Sequence, residues 1–403
     1  MKFLKISKLP PEYVAAFYAA QPDLVAKSYA EQKTALDFDA CGWADHWSHA
    51  LTRIGYEVVE IVVNVEPMQR AWAKEHSITQ WQTLNLAQVA LIQARSFQPD
   101  ILWFNDSDEK LLAEIKAATS SLRLVLGWVG SAIFTSSHCK QIDLMLSCAQ
   151  ESVDRLRQQG YRAEQLHHGF DPRIIGRLKQ HQKQYDFTFI GQLFRLSQFH
   201  LLREQILLEL AKVTGVTIFS SSARLGYIAD VRSAVFAVIH RVLAALRRLG
   251  VDERFLASLP RIGVLANSSP PSFFAVRPGL RRHLQHDVYG LAMYQVLRDS
   301  RISLNIHADS SPLFASNMRL FEATGVGTCL MTDWRDNLAE LFVPEAEVVT
   351  YRNLDECVEK TRWLLDHPVE REEIARAGQQ RVLKDHTFAN RAIVLDEIIR
   401  SVV

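Results

Sequence analysis

The chain is 403 residues long, 48% hydrophobic and 23% charged, the make-up of a soluble globular protein with material for two cores of about 150 to 200 residues each. Its 46 basic and 45 acidic residues leave a net charge of +1, so no overall field draws it to nucleic acid or to an anionic membrane, and any anionic partner must be held locally. The five cysteines, Cys41, Cys139, Cys148, Cys329 and Cys357, are scattered and never spaced C-x-x-C, which argues against a disulfide framework or a zinc site and for a reducing, cytoplasmic setting.

The first residues, "MKFLKISKLPPEYV", carry too short an apolar run before Pro10 and Pro11 for a signal peptide, and no stretch reaches the roughly 20 apolar residues of a membrane span. Brief β-branched or apolar runs then alternate with helical patterns, the mark of parallel βαβ units. Strands are predicted at 2–6, 57–63, 100–104, 122–128, 143–148 and 163–169, with helices such as 46–55 and 151–160 closed by Gly55 and Gly160. Residues 168–185 turn polar and basic and lose the strand pattern, as a linker does.

The alternation restarts at Tyr185, with strands predicted at 185–191, 215–220, 302–308, 327–333 and 346–351. A helix-rich insertion with basic patches, about 221–285, interrupts it, and the chain ends in helices. The expected fold class is therefore α/β: two Rossmann-like domains, 1–175 and 185–403, facing a central cleft where ligands meet the C-terminal strand edges. The last helix, about 390–403, is a candidate to cross back onto the first domain.

"SNMRLFEATGVGTCLMTD" (316–333) places an arginine where a helix is predicted to begin, near Ser316 or Asn317. A helix N-terminus favours negative charge, so Arg319 is out of place there unless an anion is present. Free N–H groups of Ser316, Asn317 and Met318 with the guanidinium of Arg319 would make a phosphate cradle. Glu322, one turn on, would then accept hydrogen bonds from a vicinal diol. The plainer alternative is an i, i+3 ion pair between Arg319 and Glu322 on a solvated face.

The order N-x-R-x-F-E-A-x-G-x-G, an apolar strand, "LAELF", "EVVTYRNLDECVEK" and "HPVEREEIARAGQQRVLKDHTFANR" resembles the C-terminal domain of the GT-B glycosyltransferases. The resemblance is to the bacterial group-1-like branch that includes the spore-maturation CgeB-type proteins, over about 185–220 and 288–395. It implies a GT-B fold and transfer of a sugar from a nucleotide-diphosphate donor to a saccharide or glycoconjugate acceptor, in bacterial surface-polysaccharide or glycoconjugate synthesis. It implies no cofactor other than that substrate and no metal. It carries the ribose role to Glu322 and, through "FIGQLFRLSQ", a diphosphate role to Gly191 and Arg195. Many retaining members have a second glutamate eight residues before the first; Phe314 stands there in this chain, and the nearest carboxylate, Asp309, becomes the candidate for the donor sugar. Retention or inversion stays open. A nucleotide-sugar epimerase, or a non-catalytic binding or coat-type protein of the same fold, is the alternative.

An inverting route needs a base near the acceptor hydroxyl. "CGWADHWSH" supplies Asp45 and His46 as first candidates, after a glycine, Gly42, suited to close backbone approach. Asp45 also reads as a helix N-cap and His46 as a surface histidine. "DSD" at 106–108 is assigned to turn and capping chemistry rather than to a metal. His167 and His168, before "GFDP", are assigned a structural role. For 221–285 a solvated helical insertion is the plain reading, and a lipid, a long acceptor or a partner the other; a peripheral membrane contact is compatible with the sequence.

Overall fold

The computed structural model describes residues 1–130, 139–193, 201–252, 255–256, 275–307 and 311–403. Two six-stranded sheets, parallel throughout, form the frame. The first contains β1 (Lys2–Ser7), β2 (Glu57–Val62), β3 (Ile101–Asn105), β4 (Leu124–Val129), β5 (Leu144–Ser147) and β6 (Ala163–Gln165), in the order β2-β1-β3-β4-β5-β6. The second contains β7 (Tyr185–Ile190), β8 (Val216–Phe219), β9 (Leu284–Gln285), β10 (Ser300–Asn305), β11 (Cys329–Asp333) and β12 (Val349–Tyr351), in the order β12-β11-β10-β7-β8-β9. The inner strands are covered by helices on both faces, which is why they read as unbroken apolar runs: Ile101, Leu102, Trp103 and Phe104 are all fully buried.

Each strand expected from the sequence is present. β9 was not expected, because two residues leave no hydropathy signature. Its presence changes the meaning of the helical segment before it. The helix Tyr227–Arg248 belongs to the crossover from β8 to β9, so the segment is an enlarged βαβ connection rather than an excursion outside the strand series.

Strand order reverses between β1 and β3 in the first sheet and between β7 and β10 in the second. At such a reversal the connecting helices depart to opposite faces and leave a crevice beyond the C-terminal strand ends. The chain therefore builds two crevices.

The last helix, Phe388–Arg400, returns to the first sheet. Thr387 and Asn390 form its capping box, and Phe388, Ala392, Leu395 and Ile399 are buried with Phe3, Trp47 and Trp103. Gly169 makes this crossing possible, since a Cβ there would lie 2.9 Å from the backbone nitrogen of Phe388.

A second contact between the two halves lies at the mouth of the cleft. The helix Tyr29–Asp39 ends on Ala40 in the left-handed region, and Asp39 abuts Gly290, the first residue of the helix Gly290–Arg298. Tyr13 Oη donates to Asp39 Oδ2 over 2.7 Å, and its ring lies 5.8 Å from that of Tyr289. Gly290 has φ +54°, and a Cβ there would run into the backbone oxygen and carboxylate of Asp39. Gly290→Ala is therefore expected to lower stability by about 2 to 4 kcal/mol through backbone strain and overpacking, read from urea denaturation; an unchanged midpoint would contradict this packing.

Candidate active site

Two cavities open at the two crevices and share a wall. The larger, about 430 Å³, sits beyond β7 and β10 and is lined by Gly191, Asn305, Ile306, Asn317, Arg319 and Glu322 from the second half. The smaller, about 350 Å³, sits beyond β1 and β3, with Ser7, Lys8, Asn105, Trp43 and Trp128 among its walls. Cys41, Gly42, Gly130, His168 and Met318 line both. The result is one cleft with two lobes, and His168 stands at their junction.

The loop between the helices Tyr29–Asp39 and His46–Thr52 forms much of that junction. Three of its residues, Ala40, Gly42 and Ala44, have positive φ (57°, 65° and 39°). Two of the three carry a Cβ, and backbone strain of this kind is kept where a site needs the resulting shape. Gly42 is thus where the sequence placed it, against the cleft. Cys41 beside it is buried, and loss of solvent pushes its thiol up to about 12, so it is neutral.

Around the larger lobe, Asn317 Nδ2 donates to Asn305 Oδ1 over 2.9 Å, tying the loop after β10 to the strand end. The helix itself is Arg319–Gly325, so Ser316 and Asn317 precede it and Met318 is its N-cap, a start slightly later than expected. The N–H groups of Asn317, Met318 and Arg319 meet no acceptor among the described residues. Arg319 Nη1 lies 2.7 Å from Glu322 Oε2, with side-chain exposures of 17% and 7%. The ion pair allowed for from the sequence thus exists, but it forms the cleft wall instead of a solvated face. Gly191 lines the lobe as expected, although its N–H already donates to the Phe219 carbonyl over 3.0 Å. A Cβ on Gly191 would sit 2.8 Å from the Phe189 ring. Arg195 and Asp309 lie outside the described residues.

One cation in this lobe escaped the sequence reading. Arg203, on the helix Leu201–Val213, is 8% exposed and lines the cavity. It donates to the carbonyl of Gln192 over 2.9 Å and to that of Ile306 over 2.8 Å, linking the ends of β7 and β10 across the point where strand order reverses. An arginine in a helical run near a strand end carries no pattern of its own, and only the fold shows where it points.

Asp45 and His46 are not in the cleft. Arg173, from the segment read as a linker, donates to both Asp45 carboxylate oxygens over 2.8 Å and also grips Asp171. Burial alone would raise both carboxyls, but Arg173 outweighs it at Asp45, and His46 together with Arg173 outweighs it at Asp171, so both are held below the usual carboxylate range. The Asp45 side chain is drawn away from its helix and makes no N-cap bond. His46 is 1% exposed, packed 5.0 Å from the Phe388 ring, with Nδ1 2.8 Å from Asp171 Oδ2 but not aligned for a hydrogen bond. Neither the base nor the surface-histidine reading of His46 fits. The two carboxylates converge on one guanidinium, so the cluster is a strut between the linker and the first domain.

"DSD" behaves as capping chemistry. Asp108 accepts from Leu111 N over 2.9 Å at the start of the helix Glu109–Ala118, and Asp106 pairs with Lys8 over 2.7 Å. His168, expected to be structural, instead faces both lobes, with its ring 6.1 Å from Trp43 and 5.3 Å from Trp128. Burial, then the charges of His167 and Arg391, pushes it down to about 3, so the imidazole is neutral at ordinary pH.

Known proteins share this fold. Residues 241–397 match a family described as glycosyl transferase-like. Over its whole length the chain superposes on the Anabaena protein Alr3699/HepE, solved in complex with UDP-glucose, with a TM-score of 0.56, 12% identity and 100% of each chain covered. The fold is GT-B. Sucrose-phosphate synthase from Thermosynechococcus elongatus is similar over 100% of this chain and 98% of its own, at TM-score 0.52 and 9% identity. AviGT4, a glycosyltransferase involved in avilamycin A biosynthesis, is similar over 99% and 97%, at 0.52 and 12%. No curated protein matches the sequence.

Proposed function

We propose that the chain is a nucleotide-sugar-dependent glycosyltransferase of the group-1-like, CgeB-type branch, acting in bacterial surface-polysaccharide or glycoconjugate synthesis. The observation that carries this reading is the two-lobed GT-B cleft, with cations and free backbone N–H groups in one lobe and aromatic walls in the other. The match to a glycosyl transferase-like family over 241–397 and the UDP-glucose complex of the similar Anabaena protein support it.

In this reading the donor diphosphate lies against Arg203 and the N–H groups of Asn317, Met318 and Arg319, and Arg195 is kept as a candidate for it from the sequence. Preorganised donors of this kind favour the charge that develops on a leaving diphosphate. Glu322 takes the ribose hydroxyls. That releases Arg319 from its ion pair toward the phosphates, so the two residues exchange partners on binding. Asp309 remains the candidate for the donor sugar. No cofactor is needed beyond the donor, and the diphosphate charge is met by guanidinium groups rather than a metal. The acceptor enters the smaller lobe, where Trp43 and Trp128 offer flat apolar faces and Lys8 offers a polar contact. His168, neutral between the two lobes, is positioned to accept a hydrogen bond from the acceptor hydroxyl. His168 takes the place of Asp45 and His46 as the group that meets the acceptor hydroxyl, and it orients that hydroxyl as a neutral hydrogen-bond acceptor rather than removing its proton. Five buried, free cysteines suit a cytoplasmic location. Domains of 1–175 and 185–403 fit the same reading, with the helix Phe388–Arg400 lent back to the first.

The test is release of nucleoside diphosphate from a panel of nucleotide sugars, with and without mixed saccharide acceptors. Acceptor-dependent release that falls about 100-fold in His168→Ala, with donor binding kept, is the expected result. An isomerised donor formed without acceptor would point to the epimerase, and no turnover of any donor to a binding protein.

A further inference from the structure

The crossover helix Tyr227–Arg248 leaves an apolar face uncovered. Its other face is packed: Ala237, His240 and Leu243 are buried, and Leu243 joins Leu256 in a small core. Away from that core, Ile228, Val231, Val235, Val238, Val242 and Leu249 recur at spacings of three, four and seven residues, so they form one straight stripe. All six are exposed, Ile228 by 79% and Leu249 by 80%. Scattered apolar residues on a surface need no explanation, but a stripe running the length of a 22-residue helix does.

Charge decides what covers it. At 3.6 residues per turn, Arg232 flanks the stripe on one side and Arg241 on the other, with Arg248 further round on that second side. The helix holds four arginines and a single acidic residue, Asp230, which is engaged by Arg281 and by the Ala275 N–H. A second copy of the helix laid along the stripe would bring arginine against arginine. Two-stranded seams also favour leucine at the positions occupied by Val231 and Val238, and opposite charges along their flanks. An apolar face flanked by arginine is instead what lies in the plane of an anionic bilayer surface, the side chains dipping below the headgroups and the guanidiniums among the phosphates.

We propose that the helix Tyr227–Arg248 docks the protein on anionic membranes, parallel to the surface. Among the described residues no helix is long and apolar enough to cross a membrane, so the contact is peripheral. The helix begins just after β8, whose C-terminal end adjoins that of β7 beside the larger lobe, with Ser221 Oγ donating to Gln192 Oε1 over 2.6 Å. Docking would therefore hold the cleft close to the bilayer, where a lipid-borne acceptor is presented. The proposal rests on the helix alone and not on the reading of the cleft.

Flotation of the full chain with vesicles at low salt tests it. Wild type is expected to float with mixed phosphatidylcholine and phosphatidylglycerol vesicles and not with phosphatidylcholine alone. Val235→Asp/Val242→Asp should lose binding by about tenfold or more, and Arg232→Gln/Arg248→Gln should weaken it and flatten its salt dependence. The valines are each more than half exposed, so the thermal midpoint should hold, and the arginine pair keeps the test valid if it does not. Failure of wild type to float, or flotation indifferent to both pairs, would overturn the proposal. So would a dimer that the aspartate pair dissociates in the absence of vesicle binding, which would assign the face to a second copy.

Discussion

Replacing Arg203 with alanine is expected to weaken binding of the donor nucleotide by about 100-fold. The guanidinium sits at the strand-order reversal, in the wall of the larger lobe, and is buried with two carbonyls as acceptors. A charge-assisted hydrogen bond contributes about 1.5 to 3 kcal/mol, and a diphosphate in a low-dielectric cleft lies at the upper end of that range. The same substitution strips the Gln192 and Ile306 carbonyls of a partner, so a fall in stability is also expected. Arg203→Lys separates the two effects. Lysine keeps a positive charge in the lobe but cannot reach both strand ends with one rigid fork. It should therefore recover part of the affinity for inorganic pyrophosphate while remaining less stable than wild type. Wild-type nucleotide affinity in a folded alanine variant would remove Arg203 from the site.

The second large effect is a loss of stability in mild acid, centred where the last helix crosses back. His386 Nε2 lies 2.7 Å from the Leu341 carbonyl and Nδ1 lies 2.7 Å from Arg391 Nη2, so its protonated nitrogen is Nε2 and Nδ1 accepts from the arginine. Arg391 Nε in turn donates to the His168 carbonyl over 2.8 Å. Burial depresses all three histidines here, with Arg391 adding to it: His386 and His167 to about 4 and His168 to about 3. Burial lowers Arg391 as well, to about 10, with Asp385 opposing it, so the arginine still carries its charge and repels an added proton.

The unfolded chain takes up these protons near pH 6.5 and the folded chain does not, so the unfolded state binds more protons below that pH. Stability is full above about pH 6.5 and falls as the pH drops toward 4. At pH 5 the loss is about 2 kcal/mol for each of the buried histidines His168 and His386, at 1.36 kcal/mol per pH unit. Asp171, held low by Arg173 and His46 against its burial, adds a further loss only at more acid pH. Urea denaturation at pH 7.5, 6 and 5 reads this directly. A stability constant across that range would contradict the buried, neutral state of these histidines.

Much of the fold was legible because parallel strands covered on both faces are apolar throughout, and eleven of them stood out in β-branched runs. β9 did not, being two residues drawn from "HLQH". The site was legible where chemistry lies close together in sequence. Asn317, Arg319 and Glu322 share one loop and helix, and the misplaced charge of Arg319 pointed to them. The sequence could not show that Arg319 already has a partner in Glu322, because an i, i+3 pair exists on exposed faces and in cleft walls alike. Asp45 and His46 looked catalytic for being polar beside Gly42. The true partner of Asp45, Arg173, lies 128 residues away, and the carboxylate beside His46, Asp171, lies in the same segment, which carries no secondary-structure pattern in the sequence. Arg203 and His168 were missed for the same reason: their roles come from where strand ends and the linker bring them, and neither carries a local signal.

The central claim is that the larger lobe holds a nucleoside diphosphate with Glu322 on its ribose. Calorimetric titration of UDP, GDP, dTDP and CDP into wild type identifies the preferred nucleotide, and titration of that one into Glu322→Ala tests the claim most directly. Wild type is expected to bind one equivalent, and the variant to bind about 10- to 100-fold more weakly, the 1.5 to 3 kcal/mol of a charged hydrogen bond. Inorganic pyrophosphate, which has no ribose, should bind the variant at least as well, since Arg319 is then unpaired. Wild-type nucleotide affinity in the Glu322 variant, or no binding of any of the four to wild type, would contradict it.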